Sequence, residues 1–501
     1  MAENPNKSKP AAGLPEPPAE IVVAPEIEEH EIEEKVKSKK SIIISILIAL
    51  AAGISLAMLP TPSGLSPQGH KFLALLVTVI ILWVSEAIPV GVTALIVGGG
   101  LILFKIQPTS KAWEAYASPA VMFVLMIMMF GVILNEAGVA KRILHGILKV
   151  AGTNVKKLSF FVAISATILS TVFHDATITI ILIFSFLPVF AAMGITPQKS
   201  TNLSKFFILL IALSASAGGF GTLLGGGRGP VMVEVLAKVT GYEMGFMEFA
   251  IRNFPLAILT AITSWVVVYL IMPPKVKEIP ASIATEKLPP MTGKQKGVIA
   301  AFAFAFALWS VTDLTKIHYS VIAVVALTLV FGFKLVSFKT VISKFPWETW
   351  IVFGAGYSLG VAMLDTGAGK WIAMQFLPML EGKSWIIVFF GAGLLGAVMS
   401  SFMSNAAATA LILPVTIPMA QNLGIPEAAV ALSAPIATSF IMLVIGCPPT
   451  LIAYGTGYFS QLDFIKVAIP WAIACLIVVA IGAGLYWPLT AWPDLPLLGI
   501  R

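Results

Sequence analysis

LSTVFHDAT, residues 169–177, is a small polar run in the middle of a long apolar stretch of this chain. MSSFMSNAA, residues 399–407, is its counterpart in the second half, and each run is followed by a Leu-Pro pair and then by a Gly-Ile pair. Small polar side chains that are concentrated within lipid-soluble sequence indicate a paired site for a solute. The two copies differ at their centres, where the first has a titratable His-Asp pair and the second a neutral Ser-Asn pair.

The composition is that of a protein embedded in a lipid bilayer. Of the 501 residues, 58% are hydrophobic and 11% are charged, and the mean hydropathy is +0.93. A soluble protein of this length requires more polar surface. We therefore predict an all-α polytopic membrane protein, because helices satisfy their own backbone hydrogen bonds inside the bilayer.

Charged residues are concentrated at the N-terminus. Residues 1–40 contain nine Glu, six Lys and six Pro, a composition typical of a disordered tail, and they lack the pattern of a secretory signal. Lysines just before the first apolar run predict a cytoplasmic N-terminus, in what we expect to be a bacterial inner (plasma) membrane. The net charge of +7 comes largely from basic loops beside apolar runs, so we expect no nucleic-acid partner.

A basic loop at residues 273–296 divides the apolar sequence into two halves, 41–272 and 297–501. By the positive-inside rule this loop shares the cytoplasmic side with the N-terminus, so an even number of crossings separates the two. Six candidate spans meet this requirement, provided that residues 158–192 enter and leave on one side. These spans are at about 41–60, 70–88, 90–106, 119–136, 205–238 and 251–272.

Two stretches, at about 158–192 and 385–420, have a polar centre and enough apolar sequence for two helical legs each. A re-entrant helical hairpin with a polar tip fits this pattern better than one overlong helix. Two ordinary spans joined by a tight turn remain the alternative.

Matching motifs recur at a constant separation. Asn135-Glu136-Ala137-Gly138 and Leu364-Asp365-Thr366-Gly367 begin 229 residues apart (364 − 135), and His174 and Ser404 are 230 apart (404 − 174). This constancy indicates an internal duplication. With an odd number of spans in each copy the repeats are inverted, and inverted repeats with broken helices are typical of secondary transporters.

A second interruption follows each hairpin. Residues 218–229 contain seven glycines and Arg228, and the second half has the run Cys447-Pro448-Pro449-Thr450. Neither can continue an ordinary helix, so we predict two broken helices whose unwound backbone lines a cavity. Close packing of small residues between helices is the alternative. A phosphate-binding loop is not indicated, because its Lys-Ser/Thr pair is missing.

Several motifs resemble the divalent anion/sodium symporter (DASS) family. WVSEAIPVGVTAL, residues 83–95, is similar to that family's Trp-x-Thr-Glu-Ala-Ile-Pro-x-x-x-Thr-Ala-Leu signature, and residues 346–356 with 365–367 resemble its Pro-Trp, Phe-Gly-Gly-Gly and Ser/Thr-Gly series. The resemblance covers about residues 42–490. It implies a transporter and not an enzyme: a homodimer with a fixed scaffold and an elevator-like transport domain. Its substrates would be small dianions, such as succinate, malate, citrate or sulfate.

In that family a Ser-Asn-Thr motif at each hairpin tip shares in sodium coordination and substrate binding. The second tip here keeps two of the three residues and the first keeps none. From this resemblance, and from the chemistry of the residues that replace its motifs in the first half, we predict that the substrate contacts Ser404, Asn405, Ala406, Thr177, Arg228, Pro448, Pro449 and Thr450. The predicted ion-coupling residues are His174, Asp175, Ser170, Gly225, Ser400, Ser404, Asn405 and Gly446, with a possible sodium ion at Ser400, Ser404 and Asn405. No other cofactor is expected.

The chemistry of the first tip is left open by the sequence. Asp175 needs a partner inside a membrane, which can be His174, Arg228, a cation or a proton. Sodium binding, proton coupling through the His-Asp pair and a purely structural polar pair are the three alternatives. Arg228 suits a carboxylate or sulfate, or is a fixed counter-ion that replaces sodium and makes the carrier an exchanger. A different function is also open, a monovalent cation/proton antiporter that uses Asp175 as its ligand.

Overall fold

The computed structural model describes residues 39–85, 87–279, 288–315, 317–490, 492 and 495–497. The predicted tail therefore lies outside the described residues except for its last two, and so do Glu86 of the signature and residues 280–287 of the basic loop. The described residues form α-helices, short 3-10 turns and one isolated antiparallel bridge between Asn154 and Glu278. The predicted all-α class is confirmed.

The first half of the chain contributes eleven helices among the described residues. They are α1 Lys39–Met58, α2 Pro67–Ser85, α3 Val90–Leu103, α4 Thr109–Glu114, α5 Pro119–Glu136, α6 Val139–Ala151, α7 Val155–Val172, α8 Asp175–Ala192, α9 Asn202–Gly218, α10 Arg228–Thr240 and α11 Phe246–Ile271.

The second half contributes twelve helices within the same described ranges. They are α12 Gly293–Ser310, α13 Thr312–Thr315, α14 Tyr319–Gly332, α15 Phe338–Ser343, α16 Trp347–Asp365, α17 Ala368–Leu380, α18 Trp385–Ser400, α19 Asn405–Leu423, α20 Glu427–Ala431, α21 Ser433–Ala437, α22 Pro448–Gly455 and α23 Gln461–Thr490.

Several helices start where the sequence supplies a side-chain cap. Ser118 accepts a hydrogen bond from the Val121 amide at the start of α5, and Asn154 accepts one from the Lys157 amide at the start of α7. Such caps satisfy amides that have no partner within the helix. The helix boundaries are therefore set by local chemistry as well as by apolar length.

Many of these helices are long and apolar enough to cross a membrane. In the described part of the chain eight meet this criterion, or up to nine if the bent pair α16–α17 counts as one span. That pair turns by 74°, at Gly367, whose positive φ of 72° suits glycine. The chain is thus a multi-pass membrane protein.

Unusual backbone conformations recur at the separation found in the sequence. Lys105 and Lys334 both have positive φ, 54° and 52°, and they are 229 residues apart (334 − 105). Gly138 and Gly367, again 229 apart, have φ of 70° and 72°. Positive φ is uncommon for lysine, so the pairing is what an internal duplication would leave. The duplication and the inverted orientation of its copies stay predictions.

The helices can be described as two groups. The hairpin group, α7–α11 with α18–α23, packs around both polar interruptions, and the frame group comprises α2–α5 with α12–α16. The groups meet most extensively where α16 lies along α19, and α10 also contacts α5. A Cβ added at Gly356 would lie 2.5 Å from Ala407 Cα, and one at Gly360 would lie 2.7 Å from the Ala410 oxygen. The two backbones are therefore in direct contact along this seam.

Candidate functional site

The first hairpin tip is a two-residue break between α7 and α8. Phe173 and His174 are extended there, and α8 starts at Asp175. The side chains of His174 and Asp175 are both buried. Asp175 Oδ1 accepts a hydrogen bond from the Ala176 amide at 2.7 Å and lies 3.2 Å from His174 Nδ1. The tip thus keeps a carboxylate and an imidazole side by side at the N-terminus of a helix.

The glycine-rich loop between α9 and α10 lies directly against this tip. The Asp175 amide donates to the Gly225 oxygen at 3.2 Å. A Cβ at Gly225 would lie 2.5 Å from the Ser170 oxygen, and a Cβ at Gly219 would overlap Arg228 Nη2. Glycine fits both positions because backbone atoms occupy the space of a side chain at Gly225, and the Arg228 guanidinium occupies it at Gly219.

Arg228 connects the two hairpin tips. Its guanidinium is buried, and Nη2 donates to Asp175 Oδ2 at 3.0 Å and to the Ser216 oxygen at 2.9 Å. With the Asn405 amide oriented to satisfy its neighbours, Nη1 donates to Asn405 Oδ1. One side chain therefore binds the carboxylate of the first tip and the amide of the second.

The second tip is held by a compact polar network. Asn405 Nδ2 donates to Ser400 Oγ at 2.7 Å and to the Thr438 oxygen at 3.0 Å, and Ser400 Oγ donates to the same oxygen at 2.6 Å. A Cβ at Gly446 would lie 2.6 Å from the Ser400 oxygen, so the second broken helix touches this tip as the glycine loop touches the first.

The predicted site residues fall into two sets. Those at the meeting point of tips and loops are His174, Asp175, Ser170, Gly225, Arg228, Ser400, Asn405 and Gly446.

The other predicted residues have local roles in the structure. Ser404 Oγ caps α19 by accepting from the Ala407 amide at 3.3 Å, and Thr450 Oγ1 donates to the Val444 and Cys447 oxygens within the second loop. Thr177 faces Gly131 of α5. The remaining three, Ala406, Pro448 and Pro449, form the first turns of α19 and α22.

Two site contacts were not identified from the sequence. The Ser216 oxygen binds Arg228, and the Thr438 oxygen binds both Ser400 and Asn405. Both are backbone atoms, which carry no side-chain signal. Thr438 does lie in the small polar run Ala437-Thr438-Ser439, and this run was the signal in the sequence that could have indicated a site contact.

Some buried polar atoms near the tips have no protein partner among the described residues. They include Arg228 Nε, His174 Nε2 and Ser170 Oγ. A buried polar atom without a partner is costly, and Arg Nε is always a donor. Arg228 Nε is therefore a buried donor that no acceptor of the described residues satisfies.

A family model described as "Sodium:sulfate symporter transmembrane region" matches residues 40–492. An uncharacterized transporter of Haemophilus influenzae is 27% identical over 476 residues, covering 90% of this chain and 98% of that protein. The sodium-dependent dicarboxylate transporter SdcS of Staphylococcus saprophyticus is 24% identical over 461 residues, covering 85% of this chain and 88% of that protein.

A solved structure has a similar fold. The crystal structure of the Alcanivorax borkumensis YdaH transporter superposes with a TM-score of 0.52 at 14% identity, covering 91% of this chain and 99% of that one. At this identity the similarity concerns the fold alone.

Proposed function

Because this chain belongs to the sodium:sulfate symporter family, whose model matches residues 40–492, we propose that it is a secondary active carrier of small dianions. As a member of that family it is a membrane transporter and not an enzyme. The proposed substrates are di- and tricarboxylates such as succinate, malate and citrate, or sulfate. Alternating access would expose a site made by both tips and both loops.

The observation that carries the proposal is the buried guanidinium of Arg228 between the two tips. Its planar fork matches two oxygens of a carboxylate or sulfate. Among the described residues, Nε has no partner and Nη1 is bound only by the neutral Asn405 amide. An entering dianion would therefore gain a charged donor without breaking the ion pair to Asp175.

For coupling, we infer that Arg228 takes the place of a sodium ion at the first tip. Asp175 and Arg228 together have no net charge, and Nη2 occupies one carboxylate oxygen at 3.0 Å. A sodium ion at that oxygen would have to displace a bonded guanidinium. We propose that the carrier exchanges one dianion for another, with at most one sodium ion at the second tip near Ser400, Ser404 and Asn405.

The cation/proton antiporter hypothesis is not supported. SdcS is named as a sodium-dependent dicarboxylate transporter, and the family is named for sulfate. In addition, Asp175 already has Arg228 as a fixed cationic partner, so its carboxylate would bind a monovalent cation more weakly.

We further propose that the carrier works as a homodimer in a bacterial inner membrane, with its N-terminus in the cytoplasm. These three points rest on the family resemblance and on the positive-inside rule.

Transport of labelled anions into liposomes that contain the purified protein tests the substrate class. Labelled succinate, malate, citrate and sulfate are offered one at a time, and we expect at least one to accumulate. A pH-sensitive dye in the same vesicles monitors cation/proton exchange. If no anion moves while the dye responds to a sodium or potassium gradient, the dianion proposal is wrong.

A further inference from the structure

An acidic side chain of α10, Glu234, lies outside the anion site and joins the two helix groups. Glu234 follows Arg228 by six residues on this helix. Its Oε2 accepts a hydrogen bond from the Ala120 amide of α5 at 2.7 Å, and its Oε1 accepts from the Tyr357 hydroxyl of α16. Both donors belong to the frame group, whereas Glu234 belongs to the hairpin group.

The first of these donors is suited to a carboxylate. Ala120 is in the first turn of α5, an 18-residue helix that starts after its cap Ser118. Amides of the first turn have no partner within the helix, and the positive end of the helix dipole favours an anion there. The contact between Glu234 and α5 is therefore specific in position and in charge.

The neighbouring contacts between the groups have little directional preference. Gly356 and Gly360 of α16 lie against the backbone of α19, and a Cβ at Gly227 would lie 2.6 Å from the Phe353 ring. Apolar contact of this kind is not directional, whereas hydrogen bonds depend on distance and angle. The register of α10 against the frame group is consequently determined most strongly at Glu234.

We propose that Glu234 is a positioning residue for transport, a latch that holds the hairpin group in the register seen here. The inference rests on the proposed function, in which Arg228 must become accessible from both sides of the membrane. Arg228 and Glu234 share one helix and are about 9 Å apart along its axis at 1.5 Å per residue. A movement that carries Arg228 across the frame by several ångströms therefore breaks both bonds of Glu234.

The latch is tested by the distance between the two groups in solution. Spin labels on Ser110→Cys of α4 and Gln198→Cys, both exposed, report on the frame and hairpin groups, and the native Cys447 and Cys475 are buried. Glu234→Leu removes both hydrogen bonds. The unmodified protein should mostly show the label distance of the register described here. In Glu234→Leu we expect the ratio of molecules at any other label distance to molecules at this one to rise on the order of tenfold.

Two further variants keep the test decisive. Tyr357→Phe removes one hydroxyl and should give a smaller shift in the same direction, even if Glu234→Leu does not fold. Glu234→Gln is the matched control, because its amide oxygen can accept from Ala120 while its NH₂ donates to Tyr357 Oη. We expect its distance distribution to stay close to that of the unmodified protein.

A folded Glu234→Leu or Tyr357→Phe protein with an unchanged distance distribution would overturn the latch. The measurement needs no substrate, so it is independent of whether dianions are carried. Where transport is measurable, a latch also predicts an altered maximal rate per folded carrier, whereas a loss of stability alone lowers the amount of folded carrier and leaves the rate of each carrier unchanged.

Discussion

At the scale of single residues, the ion pair between Asp175 and Arg228 is the central feature of the first tip. Both groups are buried, and each is the other's charged partner at 3.0 Å. Removing one member of a buried pair leaves an uncompensated charge, which costs about 3–5 kcal/mol. The pair therefore has to be changed as a unit if its role in transport is to be separated from its role in folding.

The paired change Asp175→Asn with Arg228→Gln should fold and should alter coupling. Each single variant is expected to lower the melting temperature, because it leaves one buried charge without a partner, and the double variant should recover most of that loss. With neutral side chains at the first tip, residual transport should require sodium. Melting curves and uptake with and without sodium measure both effects, and sodium-independent transport by the double variant would contradict the assigned role.

The Asn405→Ala change tests the second tip. It removes the amide that binds Ser400, the Thr438 oxygen and Arg228. We expect transport to fall to background with a small loss of stability, since the change removes polar atoms and little core volume. Asn422→Ala on the same helix is the control, because that side chain is exposed and its amide donates to the Pro418 oxygen of its own helix. Normal uptake by Asn405→Ala would exclude the second tip from the site.

At the scale of helices and loops, apolar length and polar interruptions predict the elements well. The polar centres of the stretches at about 158–192 and 385–420 lie at the breaks within α7–α8, residues 155–192, and α18–α19, residues 385–423. The re-entrant course of these helix pairs stays a prediction, because each helix of the first pair is also long and apolar enough to span a membrane. The expected span at 205–238 is broken between Gly218 and Arg228, as its glycines indicate. Short helices such as α4 and α15 were not predicted, because six residues carry too little periodicity.

The glycine loop gives a prediction at this scale. A Cβ at Gly219 would overlap Arg228, whereas a Cβ at Gly226 would make ordinary contacts, the nearest at 3.6 Å. Gly219→Ala should therefore displace the guanidinium and reduce transport at least tenfold, while Gly226→Ala should be tolerated. Uptake assays on the two variants, with melting temperatures alongside, compare them directly. Equal activity would mean that the loop does not position Arg228.

The contact between Arg228 and Asn405 shows what sequence reasoning could not reach. These residues are 177 positions apart (405 − 228) and lie on helices whose relative register depends on packing of the whole core. The resemblance and the residue types identified both as site residues. Only the packed structure brings one guanidinium to both tips, because tertiary register has no local signal.

At the scale of the whole molecule, two similar halves give two dissimilar tips. Backbone conformations recur at a separation of 229 residues, as at Lys105 and Lys334. The second tip is a neutral hydrogen-bonded network, whereas the first contains a fixed ion pair. The two tips thus differ in charge, while backbone conformations in the two halves recur at one separation. We propose that Arg228 takes the place of a sodium ion at the first tip.

The most direct test of this account is counterflow in liposomes that contain the purified protein. Vesicles are loaded with unlabelled dianion, diluted into labelled succinate or sulfate, and compared with empty vesicles, in sodium-free buffer throughout. We predict rapid labelled uptake that depends on the internal dianion and persists without sodium. Uptake that occurs only with an inward sodium gradient, and that internal dianion does not accelerate, would contradict the assignment of Arg228 as the fixed cation of the first tip.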